Sequence, residues 1–261
     1  MEYKTMKVAS FNVNSIRARL KIVLDCLEKE SPDVLCLQET KVLDKDFPGK
    51  AFEDMDYYSV FRGQKSYNGV AILSKTPVED VKIGFDEYES EGARIITATI
   101  NKIPVVNTYV PQGFHPLSKK FREKLDWFQR LYDYFDAYFK PNKPLLWLGD
   151  FNVAPEPTDV YDPAQLEGQV GFHPDERAAL NRFRQWGFTD VFRLHQPGPG
   201  HYTFWDYRLK NAVLRNLGWR VDHIWATRFL AEKSTRAWID IESRLKEKPS
   251  DHTLVMATFE I

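Results

Sequence analysis

Three stretches of this chain share a design that few folds accommodate: a short apolar run that stops abruptly at acid or amide side chains. In LLWLGDFN, residues 145–152, the run Leu145, Leu146, Trp147 and Leu148 has no polar side, so the strand it makes must be covered on both faces. The run then breaks into Gly149, Asp150, Phe151 and Asn152. Side chains two apart in extended backbone point the same way, so Asp150 and Asn152 are expected to project together beyond the sheet edge. Gly149 leaves room for close approach to the backbone. KVASFN (7–12) runs to Asn12, and VLCLQET (34–40) runs into Gln38, Glu39 and Thr40. Alone, Asp-x-Asn is an ordinary turn. Repeated at several strand ends, the pattern marks one rim of a sheet system.

The remaining elements read in order. Ser15 is placed to cap a helix whose stripe is Ile16, Leu20, Val23, Leu24 and Leu27, stopped at Ser31-Pro32. Strands are expected near 57–61, 69–74, 94–100 and 103–110. The last ends in YVPQG and sets Tyr109 at another strand terminus. A helix over 117–139 carries a core-facing stripe of Phe121, Leu125, Phe128, Tyr132, Phe135 and Phe139. After an irregular Pro- and Asp-rich segment, 153–173, a second helix runs from Pro174 to Gly187 with Asp175 and Glu176 in its first turn. The tail adds HYTFWDYR (201–208), NLGWRVDHIWA (216–226) and PSDHTLVMATFEI (249–261), with Asp251 and His252 just ahead of a closing strand. No linker, repeat or low-complexity run divides the chain, so 1–261 is expected to be one domain.

Composition excludes little, but it excludes usefully. With 43% hydrophobic and 28% charged residues, 261 residues can bury a sizeable core. A net charge of −1 gives no global basic field, so any nucleic-acid contact must be local. MEYKTMK has no apolar leader core, and no stretch approaches about 20 consecutive apolar residues, so no membrane association is expected. Cys26 and Cys36 read as packed free thiols, which points to the cytoplasm.

Collected, the polar tips are Asn12, Glu39, Tyr109, Asp150, Asn152, Asp222, Asp251 and His252. Oxygen donors with one imidazole suit a hard divalent ion, Mg²⁺ or Mn²⁺, and nothing has zinc-like Cys/His spacing. Such a set is equipment for phosphate-ester hydrolysis: a cation neutralises phosphate oxygens and a carboxylate activates water. Each residue also has a structural reading as a cap, a surface charge or a satisfied histidine. Spacing alone does not show that they meet.

From SFNVNSIRARL through PDVLCLQETK, YNGVAILSK, YVPQG, LGDFN, FWDYR, GWRVD and PSDH, the chain resembles exonuclease III and the related abasic-site endonucleases of the endonuclease/exonuclease/phosphatase superfamily. The resemblance implies an α/β, four-layered αββα sandwich of the DNase I-like kind: two packed mixed sheets flanked by helices. It implies a metal held by Glu39, with Asn12 and Asp251 near it and with Asp150, Asn152 and His252 able to hold an ion in some states. Asp150 would orient or deprotonate water, Asn152 would support the phosphate, His252 would contact a phosphate oxygen with Asp222 behind it, and Tyr109 would lie at the scissile phosphate. Phe204, Trp219 and Val221 match a small apolar pocket for a baseless deoxyribose, and Asn68, Gly69 and Arg94 match phosphate contacts. Arg208, with Lys210, Arg215 and Arg220, is placed to grip the duplex backbone. Gln112 and Asn14 resemble the exonuclease III branch, whereas Trp219 and YTFW (202–205) resemble the endonuclease branch.

The expected function is therefore that of a monomeric Mg²⁺-dependent DNA repair nuclease acting on double-stranded DNA with abasic sites or 3′-blocked ends. It would combine incision 5′ to the lesion with 3′→5′ exonuclease and end-trimming activity. A phosphoesterase for a small phosphate ester shares Glu39, Asp150, Asn152 and His252 but gives no use for FWDYR and GWRVD. A non-catalytic nucleic-acid-binding module would not need the intact set.

Overall fold

A computed structural model describes residues 5–85 and 93–261; the first four residues, part of the N-terminus read for a leader, lie outside them. In chain order the strands are β1 (Thr5–Asn12), β2 (Val34–Gln38), β3 (Tyr58–Arg62), β4 (Val70–Ser74), β5 (Glu79–Ile83), β6 (Ile95–Ile100), β7 (Ile103–Tyr109), β8 (Leu146–Asp150), β9 (Phe188–Asp190), β10 (Asp222–Thr227), β11 (Ser234–Asp240) and β12 (Leu254–Glu260). The helices are α1 (Ile16–Glu30), α2 (Gly49–Glu53), α3 (Lys119–Tyr138), α4 (Pro163–Leu166), α5 (Pro174–Trp186), α6 (Val191–His195), α7 (Arg228–Ala231) and α8 (Glu242–Leu245). The strands form two six-stranded mixed sheets, β11-β12-β1-β2-β4-β3 and β5-β6-β7-β8-β10-β9. In each sheet the central parallel pair, β1 with β2 or β7 with β8, is flanked by antiparallel neighbours.

Strand alternation builds the layers. In the first sheet Val8, Val34, Cys36, Val70 and Ile72 face the second sheet, while Ala9, Phe11, Leu35, Leu37, Ala71 and Leu73 pack with Ile16, Val23 and Leu27 of α1. In the second, Val105, Leu146 and Leu148 face inward, while Val106, Trp147 and Phe151 pack beneath α3 and α5. Helix, sheet, sheet, helix is the four-layered sandwich expected. The same parity positions the polar tips. Val8, Ser10 and Asn12 lie on one side of β1, Cys36 and Gln38 on one side of β2, Val105 and Asn107 on one side of β7, and Leu148 and Asp150 on one side of β8. The layer between the sheets therefore grades from hydrocarbon to amide to carboxylate as it approaches one edge.

The amide tier pins the sheets together. Asn107 donates across the gap to the carbonyls of Leu37 (2.9 Å) and Ala71 (2.8 Å), and Gln38 donates to Asn107 (2.8 Å) and Ser10 (3.1 Å). Two local expectations need correction. The hydroxyl of Ser15 makes no capping bond; its backbone sits at φ 94 and is held by the Glu39 carbonyl instead. On α3, which Ser118 does cap, Leu125 and Tyr132 are only half-buried, as is Phe139 just past its end. The buried face is rotated to include Trp127, Leu131, Tyr134 and, unexpectedly, Lys124. An aromatic-rich helix offers more than one apolar stripe; the facing sheet and α5 select between them.

Candidate active site

The C-terminal ends of β1, β2, β7 and β8 and the starts of β10 and β12 reach the same edge, because the antiparallel partners run back from it. The first sheet brings Asn12, Glu39 and His252 there; the second brings Tyr109, Asp150, Asn152 and Asp222. Side-chain oxygens of Glu39 and Asp150 and an imidazole nitrogen of His252 all lie within 4.8 Å of one another. Asn12 sits between the carboxylates, its amide nitrogen 2.9 Å from Glu39 Oε1 and 2.8 Å from Asp150 Oδ2. Its oxygen accepts the Asn14 backbone N–H, so Asn12 bridges the acids rather than turning an oxygen toward them. Asp251 stands aside from the three, accepting from the Asn14 side chain at 2.9 Å.

Asp150 and Asn152 meet, though not by strand alternation. β8 continues through Asp150, and Asn152 then turns to φ 51, its backbone N–H bonded to Asp150 Oδ1 at 2.8 Å. The Asn152 amide donates to the Val110 carbonyl (2.8 Å) and to Asp150 Oδ2 (3.3 Å). The space at Gly149 is taken by the neighbouring strand: a Cβ there would lie 2.0 Å from the Thr108 carbonyl oxygen. Asn14, Glu39, Lys41, Asn68 and Asn152 all adopt positive φ near the site, a concentration of uncommon backbone typical of functional rims.

The electrostatics follow from burial and crowding. His252 Nδ1 lies 2.8 Å from Asp222 Oδ2, and Nε2 lies 3.9 Å from Asp150 Oδ2. Burial disfavours the imidazolium, but Asp222 and Asp150 outweigh it and hold His252 protonated to well above its ordinary value. Burial also pushes the Asp150 carboxyl up, against the pull of His252. Burial first, then the nearby Glu39 and Asp150 charges, raises the Tyr109 phenol, which stays neutral and able to donate. Lys41, whose role sequence reasoning missed although it closes the LQETK motif, reaches Glu39 Oε2 at 2.7 Å and Asn14 Oδ1 at 2.5 Å. A cation thus already occupies the outer side of Glu39.

The site opens into a cavity of about 740 Å³. Glu39, Tyr109, Asn152, Asp251 and His252 line one part; Phe204, Trp219, Val221 and Arg208 line another; the turn at Gln112–Pro116 and the loop at Leu166–Gly171 complete the walls. Phe204 and Trp219 exchange backbone hydrogen bonds at 2.9 Å, and the Phe204 ring centroid lies 4.8 Å from that of His252. Arg94 packs over the Tyr109 ring at 4.8 Å and donates to the Tyr109 carbonyl. Gly69 is required beside Thr40, whose hydroxyl oxygen lies 2.1 Å from where a Cβ would stand, and Asn68 shapes the same turn by accepting from Lys41 N–H. Arg208 is exposed and forked onto Asp206, and Lys210 and Arg215 are exposed.

Arg220 is a correction. It is wholly buried, and its five N–H groups are spent on Asp159, Asp190 and His223, so it cannot hold a phosphate. Alternation after Trp219 turns its side chain inward, and two buried carboxylates are there to receive it.

The sequence profile described as the Endonuclease/Exonuclease/phosphatase family matches residues 9–252. The chain belongs to that family. Among family members, it is 34% identical to the exodeoxyribonuclease III of Haemophilus influenzae over 267 residues, covering 97% of this chain and 100% of the relative. Its fold is similar to that of an AP endonuclease from Archaeoglobus fulgidus, with a TM-score of 0.95 at 47% identity, covering 98% of this chain and 100% of the other. A 3′ phosphatase from Neisseria, solved with a product DNA hairpin, superposes with a TM-score of 0.93 at 35% identity, covering 98% and 100%. Family membership accounts for the two mixed sheets. Among the described residues no helix is long and apolar enough to cross a membrane.

Proposed function

We propose that this chain is a divalent-metal-dependent DNA repair nuclease that cuts the phosphodiester 5′ to abasic sites in duplex DNA, leaving a 3′-hydroxyl. It also removes 3′-blocking groups and 3′ nucleotides from duplex DNA by the same chemistry. The observation that carries this reading is the single cavity shared by the Glu39–Asp150–His252 group and the Phe204–Trp219–Val221 wall. A phosphoester centre beside an apolar recess suits a sugar that has lost its base and can leave the helical stack. The relatives support it: their names are exodeoxyribonuclease III, AP endonuclease and 3′ phosphatase.

The donor set fits Mg²⁺ or Mn²⁺: the Glu39 and Asp150 carboxylates lie within reach of one point and are bridged by the Asn12 amide. Glu39 would be the principal ligand, with Asp150 and, through small rotations, Asn152 and Asp251 as further donors; His252 could join them only after losing the proton that Asp222 and Asp150 favour. The ion supplies charge neutralisation at the phosphate oxygens. The protein's own groups supply the rest. Asp150 orients a water for in-line attack and accepts its proton as the new oxygen–phosphorus bond forms and the bond to the 3′ oxygen breaks. The leaving oxygen takes up a proton from solvent to become the 3′-hydroxyl. Asn152, fixed by Val110 and Asp150, supports the phosphate. His252, held by Asp222, faces a non-bridging oxygen, and Tyr109 donates a hydrogen bond to the phosphate. On the cavity rim Asn68, Gly69, Arg94 and Arg208 contact the strand backbone. The protein works as a monomer in the cytoplasm on this reading.

The test is a labelled duplex with one abasic-site analogue, incubated with Mg²⁺ or EDTA beside an undamaged duplex with a recessed 3′ end. Metal-dependent cutting 5′ to the lesion is expected. Digestion of the recessed end without lesion preference would refute the pocket assignment. Cleavage of neither, with turnover of a soluble phosphate ester, would refute the DNA reading.

A further inference from the structure

Lys124 and Glu176 form a fully buried ion pair, both at 0% exposure. They lie on α3 and α5, among aromatic neighbours. A pair of this kind seldom adds stability over two apolar side chains of similar size, because desolvation offsets the attraction. Its geometry points to another use. The Lys124 ammonium has three protons, and three acceptors surround it: Glu176 Oε1, the Asn152 carbonyl at 2.8 Å and the Gln112 carbonyl at 3.3 Å. The second Glu176 oxygen accepts the backbone N–H of Gly171 at 2.7 Å and of His173 at 3.1 Å. Gln112, Asn152 and Gly171 belong to three separate loops, and all three line the cavity.

We infer that Lys124 and Glu176 are positioning residues that set the lesion pocket, tying the turn after β7, the Asp150–Asn152 turn and the loop before α5 into one fixed wall. The inference deepens the nuclease reading and rests on it for its consequence in substrate choice. The tie acts through Gly171, which lies against the Trp219 ring: a Cβ there would be 3.3 Å from it and 3.5 Å from the Asn152 carbonyl oxygen. Releasing the tie lets this loop move away from Trp219 and opens the recess that distinguishes a baseless sugar from an ordinary nucleotide. It also frees the backbone carbonyl of Asn152. A surface strap of hydrophobic contacts could not do this, because backbone carbonyls and N–H groups in irregular loops need polar partners.

The double variant Lys124→Met/Glu176→Leu tests it, since apolar replacement of both partners preserves packing. Its thermal midpoint is expected to fall modestly, because relief of the buried charges is offset by the Gln112 and Asn152 carbonyls and the Gly171 and His173 N–H groups losing their partners. Its kcat/KM for abasic-site incision is expected to fall at least tenfold, and its preference for the abasic site over a recessed 3′ end at least fivefold, with the Gly171 and His173 amides exchanging faster. An equally stable variant with unchanged preference and unchanged exchange overturns the inference. If the double variant does not fold, Glu176→Gln, which keeps the size, is read by the same three measurements. A wild type that leaves the abasic duplex uncut removes the nuclease reading and not the tie, because amide exchange reports the tie without any substrate.

Discussion

Asp150 is the residue on which most of the proposed chemistry converges. It is buried, accepts from Asn12 and from the Asn152 backbone, and faces His252. Asp150→Asn keeps the shape but removes the proton acceptor, so metal-dependent incision should drop on the order of 10²–10⁴-fold, measured as single-turnover rate on abasic duplex. A loss below tenfold would assign the base elsewhere. Gly149 shows how a neighbouring residue in the same motif is constrained by backbone alone. Its φ of 142 and the 2.0 Å approach of the Thr108 carbonyl leave no place for a methyl group. Gly149→Ala is expected to destabilise the fold by about 3 kcal/mol or more, from strain plus displaced pairing of β7 with β8. Urea unfolding reads this directly, and a loss under about 1 kcal/mol would contradict it.

Among the elements, those with strong apolar periodicity were legible: β1, β2, β4, β7, β8, α1, α3 and α5 fall where alternation or helical spacing places them. So did their polar tips, since Asn12, Glu39, Tyr109, Asp150 and His252 follow apolar runs or precede one. The edge strands β5 (EDVKI) and β9 (FTD) and the strand β11 (STRAWID) did not announce themselves, because edge strands are short or half-exposed and carry no clear pattern. Lys124 was legible in principle, as a lysine three residues after Phe121 on an apolar face. Its partner Glu176 reads as a helix first-turn acid, and nothing in sequence says that the two meet. Arg220 failed for a similar reason: a basic residue between aromatics reads as a DNA contact until Asp159 and Asp190 are seen beneath it.

That buried network gives the fold a measurable acid sensitivity. Burial, then the adjacent Arg220, lowers His223 to about 3; it accepts from Arg220 at Nδ1 and meets the Val153 carbonyl at Nε2 in the neutral form. The unfolded chain binds a proton there near pH 6.5 that the folded chain refuses. Its contribution to stability is therefore complete above about pH 6.5 and lost as pH falls toward about 3, by at most about 1.4 kcal/mol per pH unit. Unfolding free energy measured from pH 7 to 4 should fall more steeply in the wild type than in His223→Gln. Parallel curves would show that another group carries the acid dependence. The metal reading makes a second global prediction. An ion bound only by the folded state adds about 2.7 kcal/mol at a hundredfold excess over its dissociation constant, so Mg²⁺ should raise the thermal midpoint and EDTA should return it. A midpoint indifferent to both, in protein that cuts DNA, would show that the ion joins only with substrate.

The partition of the site between the two sheets has a consequence for how the protein comes into being. Glu39 leaves the ribosome early, Asp150 midway and His252 only with β12, which supplies the missing neighbour of β1. Until β12 inserts beside β1, the first sheet is incomplete and the three groups cannot stand around one point. A partly synthesised chain therefore carries most of the proposed catalytic residues but no assembled site. Stalled chains released before Ser250 should leave abasic DNA intact.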